Sequence, residues 1–166
     1  MKKWIKEILT MAIVLIVASS AIGYYRGMSV NSNLDTLQAT TTLDAKSVKA
    51  ILSSNKPLII NFWGTWCPIC NQEVSTLSKL AKRDDIILLT VAVNSGSNQD
   101  IEKYMQKKGI NFLVINDNNG KIAKSFNVET FPTTLFFGKS RKKVIKDSGY
   151  TTYPGFLARI KLADNE

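Results

Sequence analysis

Apolar positions along this chain fall into one long block followed by several short ones. From Ile8 to Gly23 the sequence is apolar almost throughout, and Lys2, Lys3 and Lys6 precede it. Those 16 residues reach about 24 Å as a helix, at ~1.5 Å per residue. Trp4, Tyr24 and Tyr25 extend the block towards a bilayer core of ~30 Å and suit its two interfaces. A transmembrane helix is therefore predicted within residues 1–26. Three lysines before the run and only Arg26 close behind it put the N-terminus in the cytoplasm and the rest of the chain outside. A cleaved signal peptide is the alternative, with Ala18, Ser19, Ser20 and Ala21 as a small-residue cleavage region. The uncleaved anchor is preferred because the run is long and continues into aromatic residues.

Residues 27–42 are rich in Ser, Asn and Thr, carry no helical apolar stripe and read as a flexible tether. A compact domain is expected over 43–166, where helical and strand patterns alternate. Asp44 can cap a short helix in which Val48, Ile51 and Leu52 share a face. "LIINFW" at 58–63 reads as a buried strand, and a helix opens at Cys67-Pro68 with Val74, Leu77, Leu80 and Ala81 facing inward. "IILLTVAV" at 86–93 has the unbroken apolar character of a parallel strand covered on both sides. Asn98 then caps a helix carrying Ile101, Tyr104 and Met105. Its acids come early, Lys107 and Lys108 come late, and Gly109 closes it. "FLVIND" is a strand and "GKIAKSFNV" a short helix. "TTLFF" and "KKVIKDSG" form an antiparallel pair turning at Gly138, and a last helix follows Pro154. The order β-α-β-α-β-α-β-β-α specifies a three-layer α/β/α domain with a mixed central sheet.

Charge adds little to this picture. The formal net charge is +9, and without the N-terminal Lys2, Lys3, Lys6, Arg26 and Glu7 the remainder holds 18 basic and 12 acidic residues. A solvated basic surface accounts for this balance, and no nucleic-acid partner is expected. Lys139, Arg141, Lys142, Lys143 and Lys146 read as a solvated hairpin, with contact to anionic lipid as the lesser reading. The chain has no histidine, which excludes a histidine base, a Cys-His pair and histidine metal ligands.

The two cysteines are the only ones present and stand three positions apart in "NFWGTWCPIC". The motif lies where a buried strand turns into a helix, with Pro68 suited to the first helical position. Cys67 at the helix N-terminus meets free N–H groups and the positive dipole end, which favour a thiolate. Cys70 lies one turn on and can close a small disulfide. These features point to a redox dithiol, with Cys67 the exposed, attacking thiol and Cys70 the buried, resolving one. Structural zinc needs about four ligands, which two cysteines cannot supply. A Cu(I)-binding or metal-tolerance module using the same thiols is the alternative function. Two inert core cysteines, or a structural bridge closing too short a loop to add much stability, are the remaining readings.

"FWGTWCPIC" resembles the active-site turn of the thioredoxin superfamily. "WCPIC" followed by Glu73 in "CNQEVSTL" resembles its membrane-anchored, extracytoplasmic branch. That branch holds the TlpA, ResA and DsbE-like proteins and the disulfide oxidoreductases of the suppressor for copper sensitivity D type. "NVETFPTTLFF" is similar to the cis-proline loop of that superfamily, and the resemblance runs from Leu43 to the C-terminus. It implies a thioredoxin-like fold and a protein disulfide oxidoreductase that needs no cofactor beyond the Cys67–Cys70 couple. It also implies a cis Pro132, with Phe131-Pro132 packed beside the cysteines and offering backbone hydrogen bonds to an extended partner. Expected partners are cysteine-containing extracytoplasmic proteins and a membrane thiol electron donor.

Three positions depart from the family pattern. Asn61 stands where many thioredoxins bury an acid, Ser75 where relatives often have a helix-kinking proline, and Phe131 where smaller residues are common. Glu129 and Glu73 are the nearby carboxylates able to manage protons, although each reads first as a surface acid. Trp66, next to Cys67, is expected on the substrate-contact surface, and Trp63 in the core.

Overall fold

The computed structural model describes residues 34–142 and 144–165, together with residues 4, 7–8, 10–15 and 17 near the N-terminus. Those N-terminal residues are helical, and Trp4, Ile8, Met11, Ile13, Val14, Leu15 and Val17 expose their side chains. Much of the expected membrane element, all of residues 18–33 and Lys143 lie outside the described residues. Among the described residues no helix is long and apolar enough to cross a membrane.

The chain order is α1 (Leu34–Gln38), α2 (Val48–Leu52), β1 (Leu58–Trp63), α3 (Pro68–Leu80), β2 (Ile87–Val93), α4 (Asn98–Lys108), β3 (Leu113–Asp117), α5 (Lys121–Ser125), β4 (Thr133–Phe137), β5 (Val144–Ser148) and α6 (Tyr153–Asp164). The five strands form one sheet in the order β3-β2-β1-β4-β5. Strands β1, β2 and β3 run parallel, while β4 lies antiparallel to both β1 and β5. The mixed sheet expected from the pattern is therefore present, with β1 at its centre. Every residue of β1 is buried, because helices cover both faces.

Alternation along β1 divides the core. Ile59 and Trp63 face α3, α4 and α6, where Leu77, Leu80, Ile101, Phe156 and Ile160 complete one apolar cluster. Leu58, Ile60 and Phe62 face the other way, against Leu37, Val48, Ile122 and Phe126 from α1, α2 and α5. With Ser75 in place of proline, α3 runs unbroken for 13 residues. Helix α4 starts from a capping box between Ser97 and Asp100 rather than from Asn98, and Gly109 ends it at φ 63°. Helix α6 starts one residue before Pro154, with Thr152 as its cap.

Two expectations need correction. The stretch read as a tether up to Thr42 contributes α1, whose Leu37 is fully buried, and Thr41 bridges Ser47. Residues 34–42 are thus packed onto the domain expected from Leu43 onward. In the basic hairpin the exception is Arg141, which is half-buried, whereas Lys139, Lys142 and Lys146 are exposed as expected. The Arg141 guanidinium donates to the carbonyls of Gly138 and Ser54, and the Lys146 amine to that of Asn127. Gly138 itself is obligatory, because a Cβ there would lie 2.2 Å from the Ala163 carbonyl oxygen.

Candidate active site

The C-terminal end of β1 delivers the chain into α3 through Gly64, Thr65 and Trp66. Cys67 is the N-cap of α3 in an extended conformation, and Pro68 occupies the first turn. The Cys67 sulfur accepts a hydrogen bond of 3.1 Å from the Cys70 backbone N–H. Cys67 and Cys70 form a disulfide, with S–S 2.12 Å and Cα–Cα 5.3 Å. In this oxidised state Cys67 is not the exposed partner expected from sequence: the two residues are 5% and 3% exposed.

Trp66, the residue before Cys67, is 53% exposed. Its indole N–H donates to the Val93 carbonyl at 3.0 Å, and its ring meets Phe131 edge-on with centroids 5.4 Å apart. Gly64 makes room for that ring, since a Cβ there would come within 2.6 Å of the indole. The Phe131–Pro132 bond is cis, as the family resemblance implied. The Pro132 carbonyl accepts from Gly149 N–H at 2.8 Å, tying this loop to the end of β5. Trp63 is buried and donates to Thr90 Oγ1. Cys67, Cys70, Trp66, Pro68, Phe131 and Pro132 thus gather at one pole of the sheet, whereas Glu129 is exposed on the loop before them.

Glu73 overturns its reading as a surface acid. It is fully buried, one helical turn after Cys70 on the same side of α3. One carboxylate oxygen accepts from the Thr151 backbone N–H, and the other from Asn61 Nδ2 at 3.3 Å. Asn61 Nδ2 also donates to Thr134 Oγ1 at 2.9 Å, and Asn61 Oδ1 has no hydrogen-bond partner. Burial pushes the Glu73 carboxyl up from 4.5 to about 7, against the two donors, which favour its charged form. A group poised there exchanges protons at neutral pH. Thr134 and Thr151 were missed in the sequence. Glu73 itself had a signal: Cys70, Glu73, Leu77 and Leu80 form one stripe at helical spacing, and all four are buried. Among the described residues no group of three or more Cys, Asp or Glu side chains is placed to hold a metal ion.

The sequence model of the AhpC/TSA family matches residues 32–146. The chain belongs to the AhpC/TSA family. As a member of it, the chain is similar over its whole length to a thioredoxin-like protein of Haemophilus influenzae. Identity is 27% over 163 residues, covering 98% of this chain and 96% of the relative. It is 26% identical over 156 residues to the thiol-disulfide oxidoreductase ResA of Geobacillus kaustophilus, covering 84% of this chain and 86% of that one. The crystal structure of a secreted Mycobacterium tuberculosis disulfide oxidoreductase homologous to E. coli DsbE superposes with a TM-score of 0.64. That pair is 24% identical, with 77% of this chain and 98% of the other covered, which shows the shared fold. This AhpC/TSA-family protein is accordingly a thioredoxin-like protein disulfide oxidoreductase, of a class that works through a cysteine pair without a cofactor.

Proposed function

We propose that this chain is a membrane-anchored thiol–disulfide oxidoreductase that reduces or exchanges disulfides of envelope proteins outside the cytoplasm. The observation that carries the reading is the Cys67–Cys70 disulfide at the N-terminus of α3, beside the Phe131-Pro132 loop. In the reducing direction the Cys67 thiolate, favoured by the helix N-terminus, attacks one sulfur of a substrate disulfide. A Cys67–substrate disulfide forms, and the substrate's other sulfur leaves as a thiolate and takes up a proton. Cys70 then loses its proton to Glu73 and attacks the Cys67 sulfur. The Cys67–Cys70 bond forms, the second substrate thiolate leaves, and two electrons have passed from the dithiol to the substrate. A membrane thiol donor returns the pair to its reduced form. The partner backbone would lie along the cis-proline loop, next to the Trp66–Phe131 ring pair.

The location rests on Lys2, Lys3 and Lys6 before the apolar run at 8–23. Secretion of the Mycobacterium tuberculosis structural neighbour supports it. Substrates are read as cysteine-bearing envelope proteins of the kind met in cytochrome c maturation or metal stress. Cys70→Ser in the full chain keeps the attacking thiolate and removes the resolving one. Envelope partners should then accumulate as mixed disulfides in the membrane fraction and be released by reductant. Capture of cytosolic proteins alone would reject the orientation, and no capture under any redox condition would reject the exchange reaction.

A further inference from the structure

The polar groups around Glu73 continue outward to an ion pair on the far edge of the sheet. Asn61 on β1 stands in register with Thr134 on β4, and Thr134 with Asp147 on β5. Directly opposed residues share a face, so these three side chains form one rung on the α3/α6 side. Glu73 is bonded to Asn61 at the rung's inner end. At its edge the Thr151 hydroxyl donates to Asp147 Oδ2 at 2.8 Å, while the Thr151 backbone N–H donates to Glu73. Arg159 on α6 closes the chain, with its Nε 2.8 Å from the same Asp147 oxygen. A second bond, from an Arg159 terminal nitrogen to the Gly155 carbonyl at 3.1 Å, fixes the guanidinium on its own helix.

We propose that Asp147 and Arg159 are positioning residues for Glu73: through Thr151 they hold its carboxylate in place and set the charge it faces. This rests on the reading of Glu73 as the proton partner of Cys70. The surrounding elements leave few other candidates. Strand β1 offers Asn61, β4 offers Thr134, and the segment from Gly149 to Thr152 holds no charged residue. On β5 the neighbouring Lys146 alternates to the opposite face and reaches the Asn127 carbonyl. Asp147 is the acid whose charge bears on Glu73. Arg159 offsets that charge. A partly exposed pair adds little stability of its own, so its effect falls on the buried carboxylate that Thr151 connects to it.

The two residues must therefore act in opposite directions. Asp147→Asn keeps the shape and an oxygen acceptor for the Thr151 hydroxyl but deletes the negative charge. It should lower the Glu73 titration midpoint by about half a pH unit. Arg159→Gln leaves Asp147 uncompensated and should raise that midpoint by a similar amount, while Arg159→Lys should restore it. The readout is the ¹³C shift of the Glu73 carboxyl in the oxidised full chain in detergent micelles, where neither cysteine titrates. The pH–rate profile of disulfide reduction by the reduced chain should shift in the same sense. Thermal melting establishes that each variant is folded, and Asp147→Asn, being isosteric, tests the idea if Arg159→Gln does not fold. An unmoved Glu73 midpoint in folded Asp147→Asn, or shifts of the same sign in both variants, would overturn the proposal. A Glu73→Gln chain that kept the wild-type pH–rate profile would instead reject Glu73 as proton partner, and the carboxyl titration would still decide whether the ion pair governs Glu73.

Discussion

Two neighbouring rungs on the same face of the sheet differ sharply. Leu88, Ile59, Phe136 and Ile145 stand in register across β2, β1, β4 and β5, and all four are apolar. Two residues further along, towards the cysteines, the corresponding rung is Thr90, Asn61, Thr134 and Asp147. Both rungs lie beneath helices, so burial alone does not explain the change. The polar rung is where Glu73 descends from α3, and each of its members has a hydrogen-bond role. Thr90 accepts from Trp63 and donates to the Leu113 carbonyl, Asn61 serves Glu73 and Thr134, and Asp147 holds Thr151. The apolar rung supplies cohesion. The polar rung gives up apolar burial to hold an ionisable group beside a redox pair.

Removing cohesion should have the largest effect. Phe136 is fully buried and packs against Phe156 with ring centroids 5.5 Å apart. Phe136→Ala should cost about 3–5 kcal/mol of stability in denaturant melts. A loss below about 1 kcal/mol would show that the apolar rung is not the structural one. The polar rung should show itself in pH dependence. With its carboxyl raised from 4.5 to about 7, Glu73 is protonated in the folded state over a range where the unfolded state has lost the proton. Folding stability from this group is full below about pH 4.5, falls as pH rises to 7 and is level above that, a change of roughly 3 kcal/mol. Glu73→Gln should abolish that fall and leave the variant the more stable protein at pH 8. Urea midpoints at pH 5 and pH 8 compare the two directly. Equal pH dependence in both proteins would mean that Glu73 titrates normally. The smallest effect belongs to Thr134→Val, which removes an acceptor of Asn61 Nδ2 while keeping the shape. It should cost about 1–2 kcal/mol, because a buried amide hydrogen loses its partner. No measurable cost would dissolve the link between β4 and the Glu73 site.

The contrast between the rungs also marks what the sequence could convey. Strands β1 and β2 and the C-x-x-C at a strand-to-helix turn were legible because apolar runs and helix-start chemistry are local signals. Pro132 became interpretable only through its resemblance to the cis-proline loop. The polar rung was not legible. Asn61 and Thr134 lie 73 residues apart, and their pairing depends on strand order and register, which no local pattern states. Glu73 was misread because a carboxylate is ordinarily outside, although its place on the Cys70–Leu77–Leu80 stripe pointed inward. Helix α1 was missed because a segment of Ser, Asn and Thr carries only Leu34 and Leu37 into the core. Cys67 is covered in the oxidised state, joined to Cys70 and part of the apolar cluster on the α3 side of the sheet.

The central claim is that Cys67 and Cys70 exchange disulfides as a pair, without metal. Single-turnover reduction of a disulfide substrate by the reduced full chain, in buffer stripped of metal by a chelator, tests it most directly. Wild type should transfer two electrons per chain and end with Cys67 and Cys70 joined. Cys70→Ser should stop at a Cys67–substrate disulfide, and Cys67→Ser should fall to the rate of a free thiol. Full turnover by Cys67→Ser, or a wild-type reaction that requires added copper, would contradict it.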